Sequence, residues 1–242
     1  MKALTIAKRE LRSYFNSPVA YIIVCLFLLI LGVFFWQTFF LAGRATCRDL
    51  FRWVARLLVV AGPAISMRLV AEEKRTGTFE VLVTMPVRDR DVILGKYAAA
   101  VGLLVVMLVM TFGYPISVAQ LGKLDWGPVY AGYLGLLLLG ASYIAIGIWA
   151  SSITDNQLIA LVLSLVIGGF LYFVDWFLPL IQGFFPDWLQ WMVDVIEWVS
   201  LDYHFQSIMR GVIDTRDLVY FTSIILVFLM LAFRSIESRK WK

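Results

Sequence analysis

Residues 18–42 read PVAYIIVCLFLLILGVFFWQTFFLA, an unbroken run without Asp, Glu, Lys or Arg. As a helix rising about 1.5 Å per residue, such a run exceeds the roughly 30 Å hydrocarbon core of a bilayer. Its apolar residues are continuous instead of alternating, which selects a spanning helix over a barrel strand. Working outward, apolar stretches at about 53–70, 92–119, 128–150, 157–179 and 217–234 predict six spans in all. The whole composition agrees, with 61% hydrophobic and 16% charged residues over 242 positions and a mean hydropathy of +0.84. An ordinary water-soluble domain is excluded.

The flanks assign orientation. Before the first span, Leu4, Ala7, Leu11, Tyr14 and Phe15 share one helical face and Lys2, Arg9 and Arg12 another, which predicts a helix lying in the membrane interface. The 18–42 run is too long for the core of a signal peptide and lacks an A-x-A cleavage signal. Leu41-Ala42-Gly43 is followed by Arg44 and not by Cys, so no lipoprotein signal is read either. Six spans put both termini on one side, together with Arg68, Lys74, Arg75, Arg88, Arg90 and Lys96 of the second loop and Arg234, Arg239, Lys240 and Lys242 at the end. The positive-inside rule makes that side the cytoplasm.

On the outer side, Arg44, Arg48, Arg52 and Arg56 recur every fourth residue, as a basic stripe along one helix face with Asp49 inside it. The stripe suits either an anionic headgroup or acidic partner, or simple snorkelling of long side chains. After the fifth span, Pro179, Gly183 and Pro186 break any straight continuation. Trp188, Trp191, Met192, Val195, Ile196 and Val199 then repeat at helical spacing opposite Gln190, Asp194 and Glu197, predicting a flat or re-entrant outer helix. Cys25 falls within the first apolar run and Cys47 beyond its far end, so the two form no intrachain bridge, and Cys47 is read as a free surface or interfacial thiol.

Catalytic chemistry finds little to work with. The one histidine, His204, has no Ser, Cys or acid pair at a recognisable motif spacing. The span centres carry no ionisable group for proton or sodium coupling, and Asp175 falls near the outer end of its span. No cofactor or metal site is read in the chain. Gly95-Lys96 lacks the remainder of an ATP-binding loop, so any directed work draws energy from a partner.

The second loop reads Glu72-Glu73-Lys74-Arg75-Thr76-Gly77-Thr78-Phe79-Glu80-Val81-Leu82-Val83-Thr84-Met85-Pro86. Gly77 permits a turn, Thr78 can cap a new helix and Pro86 ends it about two turns later. Phe79, Leu82 and Val83 then form an apolar knob flanked by Glu72, Glu73 and Glu80, a shape suited to a groove in another protein.

This segment resembles the E-E-[KR]-x-x-G-T-x-E-x-L-x-x-x-P signature of ABC type-2 permeases. Gly95-Lys96, Asn16-Ser17-Pro18 and Ser200-x-x-x-His204-Phe205-x-x-x-x-Arg210-Gly211-Val212-Ile213-Asp214-x-Arg216-Asp217 resemble its gliding-motility-associated and nitrous-oxide-reductase-maturation subfamily. The likeness runs along essentially the whole chain, expected to be one permease domain over 1–242. It implies an all-α permease of a bacterial inner membrane with cytoplasmic termini, a cytoplasmic coupling helix and outer re-entrant helices. It also implies two permease copies, hence a homodimer, and two ABC ATPases that hold the ATP and Mg. Glu72, Glu73, Arg75, Gly77, Thr78, Phe79, Glu80, Leu82 and Pro86 are the expected ATPase-coupling residues. Gly102, Gly113, Gly135 and Gly140 are small enough to let a second copy approach.

Candidate outer contacts for a substrate, partner or accessory subunit are Arg44, Arg48, Arg52, His204 and Arg210. Two alternatives stay open: a lipid-acting membrane enzyme near Asp202, His204 and Arg210, and a scaffold for a motility or maturation complex. Cargo and direction of transport are not written in the sequence, nor is the choice between passing a solute and transmitting force.

Overall fold

The computed structural model of the chain describes residues 2–42, 46–77, 89–182 and 190–237. The regular elements among them are helices: α1 Lys2–Asn16, α2 Pro18–Ala42, α3 Arg48–Ser66, α4 Arg68–Arg75, α5 Asp89–Thr111, α6 Gly113–Leu121, α7 Trp126–Ile153, α8 Gln157–Gln182, α9 Gln190–Val199, α10 Leu201–Met209 and α11 Thr215–Glu237. Six segments are long and apolar enough to cross a membrane: Ala20–Gln37, Arg48–Arg75, Arg90–Leu121, Trp126–Ile153, Gln157–Leu178 and Thr215–Glu237. The all-α, six-span class read from the sequence holds. Successive spans alternate, which defines a proximal end, carrying α1, Gly77, the 153–157 turn and Glu237, and a distal end carrying α9 and α10.

The second span differs from its expected bounds of 53–70. It starts at Arg48 and continues through a break at Met67 as far as Arg75. Pro63 lacks the N–H that would close its own rung, yet its carbonyl still accepts from Met67 N–H at 2.8 Å, so the chain stays helical while it bends. Glu72, Glu73 and Arg75 therefore stand on a helix extending the span, not on a loop. Gly77 has φ +73°, the turn the sequence asked of it.

Helix α7 is the axis of the bundle. It packs against α3, α4, α5, α8, α10 and α11, and 78% of its span is buried against 22% for Gln157–Leu178. Small residues make this possible: a Cβ placed on Gly147 would meet Ser66 Oγ at 1.8 Å, and one on Gly132 the Phe51 ring at 2.5 Å. Three of the four glycines considered for close helix approach pack inside the chain, while a Cβ on Gly113 would meet nothing within 4 Å among the described residues. Gly102 faces Leu11, Gly135 faces Phe205 and Ile208, and Gly140 faces Leu104, all within one chain. Cys47 is also corrected: it is buried, at 4% exposure, and not a surface thiol.

Candidate functional site

At the proximal end, three helices converge on one ammonium group. Lys96, about two turns into α5, has a side chain only 2% exposed. Its Nζ lies 2.6 Å from Glu73 Oε1 on α4 and 3.8 Å from Glu10 Oε1 on α1. Glu10 in turn meets Arg9 at 3.0 Å. With Lys96 buried and its two acids only partly exposed, the group is stable only while the ammonium keeps its partners. The amphipathic α1 is thus tied to the bundle by charge as well as by its apolar face, where Leu11 packs on Gly102. Tyr14 donates to the Ile65 carbonyl at 2.8 Å, and burial pushes its phenol well above the ordinary range, so it remains a donor.

A second set of bonds fixes α4 to the end of α7. Ser151 Oγ donates to the Met67 carbonyl at 2.9 Å and accepts from the Val70 and Ala71 amides at 3.1 and 2.8 Å. Both amides lie in the first turn of α4, whose N-cap Met67 makes no side-chain cap, so one hydroxyl from α7 supplies it. Lys74 Nζ donates to the Ser152 carbonyl, which also accepts from Ser235 Oγ of α11 at 3.0 Å. Glu72 points the other way, half exposed and 3.7 Å from Arg68. A polar cleft of about 440 Å³ opens among α1, α4 and α5, lined by Arg9, Glu10, Tyr14, Arg68, Glu72 and Lys96 with their neighbours.

Glu72, Glu73, Arg75 and Gly77 are thereby placed together at this end. Glu73 pairs with Lys96, so this acid of the coupling motif also makes a contact inside the bundle. Thr78, Phe79, Glu80, Leu82 and Pro86, with the expected coupling helix, lie outside the described residues, as do Arg44, Gly183, Pro186, Trp188 and the terminal Arg239, Lys240 and Lys242.

At the distal end the late motif folds as a unit. Ser200 Oγ caps α10 by accepting from the Tyr203 amide at 3.4 Å. Gly211 takes φ +92° to turn the chain, and Asp214 caps α11 by accepting from the Arg216 amide at 2.9 Å. His204 is 2% exposed; its Nδ1 lies 2.7 Å from Asp217 Oδ1 and its Nε2 3.0 Å from the Trp198 carbonyl, while Tyr220 stacks on its ring. With both nitrogens engaged and the ring enclosed, His204 is a structural clasp between α10 and α11, which corrects its reading as an outer contact.

Arg48 and Arg52 lie exposed on the first turns of α3, Arg52 at 3.2 Å from Asp49. Arg56 lies over the rings of Trp53 and Trp176, and shares a small cavity with Tyr172 and Asp202. Arg210 is exposed at the mouth of a distal cleft. The buried roles of Lys96, Ser151 and Asp217 carried no local signal, because their partners are 13 to 81 residues away along the chain.

Six apolar helices around a nearly charge-free interior define a polytopic membrane protein. Residues 53–234 match the family model described as ABC-2 family transporter protein. The chain therefore belongs to the ABC-2 transporter family, as a membrane-spanning permease subunit. No match was found among curated proteins.

Proposed function

We propose that this chain is the permease of an ATP-driven exporter and couples to a separate ATPase through residues 72–86. The observation that carries this reading is the anchoring of α4: Ser151 and Lys74 tie it to α7, and Glu73 ties it through Lys96 to α5 and α1. A segment pinned to three helices passes a push from the proximal end into the bundle as a rigid body, without losing it in a flexible loop. Glu72, Arg75, Gly77, Thr78, Phe79, Glu80, Leu82 and Pro86 are the proposed contact and turn residues, with Glu73 as their internal anchor.

In this scheme ATP and Mg reside in the partner, and ATP-driven closure of two ATPases biases two copies of this permease between alternate states. The proximal end is cytoplasmic by the distribution of Lys and Arg, in a bacterial inner membrane. The resemblance of the coupling loop and the late motif supports one domain over 1–242 and membership of the gliding-motility and nitrous-oxide-reductase-maturation subfamily, with an accessory subunit on the distal side.

Phe79→Asp tests the coupling. Removing the largest apolar side chain of the knob and placing a charge beside Glu80 costs about 2–4 kcal/mol of docking energy, more than tenfold in affinity. The variant is expected to insert and accumulate normally yet lose the ATPase on co-purification. Full retention of the ATPase with undiminished activity would refute the assignment.

A further inference from the structure

The distal cleft encloses about 530 Å³ between α8, α9, α10 and the start of α11. Asp175, Glu197 and Asp217 line it together with Arg210 and Arg216, and Trp198 forms part of its wall. Among the described residues Asp175, Glu197, Arg210 and Arg216 form no ion pair. Asp217 is the second, independent sign of a ligand. Its side chain is 8% exposed, Oδ1 is taken by His204, and Oδ2 is buried without a hydrogen bond. A buried carboxylate oxygen left in this state asks for a donor from outside the chain.

Both signs of charge therefore stand open in one cleft. A purely anionic ligand would satisfy the arginines but face Asp175 and Glu197, and a purely cationic one the reverse. A group carrying an ammonium and a phosphate satisfies both. Asp175 ends one span and Arg216 and Asp217 begin another, so the cleft lies at the depth of lipid headgroups, where the exposed Trp198 and Tyr203 rings also belong. On the same helix as Glu197 and Trp198, Val195 and Val199 border an apolar groove of about 690 Å³ against α8, wide enough for an acyl chain. We propose that the distal cleft binds the zwitterionic headgroup of an aminophospholipid, its ammonium toward Asp175, Glu197 and Asp217 and its phosphate toward Arg210 and Arg216.

The site does not depend on the ATPase-coupling scheme, and binding is measured without turnover. The full-length chain, purified in detergent and freed of lipid, is titrated with phosphatidylethanolamine, phosphatidylcholine and phosphatidylglycerol, and bound lipids are counted by native mass spectrometry. Phosphatidylethanolamine is expected to bind about tenfold more tightly than either of the others, because phosphatidylcholine has no N–H to donate and phosphatidylglycerol no ammonium. Asp175→Asn with Glu197→Gln, and separately Arg210→Gln, each remove most of that preference while leaving the melting temperature unchanged. Equal binding of the three lipids, or a preference for phosphatidylglycerol, overturns the proposal. So does an unaltered preference in both variants. Soluble O-phosphoethanolamine is the remaining arm: if it binds as tightly as the lipid, the bilayer is not the source and the lipid assignment falls.

Discussion

Replacing Lys96 with Met keeps the length and apolar contacts of the stem but deletes the charge on which α1, α4 and α5 converge. Glu73 and Glu10, with side chains 19% and 17% exposed, are left as neighbouring carboxylates without their shared cation. Breaking a buried pair by removing one partner costs about 3–5 kcal/mol. Because these acids retain some access to water and Glu10 keeps Arg9, the lower end, about 3 kcal/mol, is expected. For a chain of this size each kcal/mol moves the melting temperature by about 2–4 °C, so Lys96→Met should lower it by about 6–12 °C in detergent. Adding Glu73→Gln removes one stranded charge and should restore roughly half of the loss. A fall of less than about 2 °C in the single variant, or no recovery in the double, would refute the claim that this ion pair holds the proximal end together.

Other outcomes follow from packing and burial. Gly147→Ala forces a Cβ to within 1.8 Å of Ser66 Oγ and 2.8 Å of Ser66 Cβ, and should cost about 1–3 kcal/mol in thermal unfolding, with only partial relief on adding Ser66→Ala. Burial pushes the Cys47 thiol up to about 11 from a usual 9.0, which leaves roughly a hundredfold less thiolate at pH 8. In a Cys25→Ser background, the native chain should therefore resist maleimide over minutes and label fully once unfolded; rapid native labelling would contradict the burial. Single cysteines introduced at Glu72 or Thr76 should react with impermeant reagents only from the cytoplasmic side, and labelling from outside would reverse the orientation.

The sequence by itself determined the number of spans, their approximate limits and the class of fold. A hydrocarbon slab demands about 20 consecutive apolar residues, and that requirement is summed over neighbours in the chain, so it is visible in one dimension. Local chemistry was legible for the same reason: the turn at Gly77 needs nothing beyond adjacent residues. The tertiary structure alone decided which faces of these helices meet. Helices α2 and α7 are apolar on every side, so no periodicity marks an inward face, and α7 became the axis because its glycines fit Phe51, Ser66 and Leu104. It also decided that Glu73 turns in to Lys96, that Ser151 caps a helix some 80 residues earlier, and that His204 clasps Asp217. Each of these bonds joins groups from separate helices, and their strength comes from exclusion of water, which exists only after the bundle has closed.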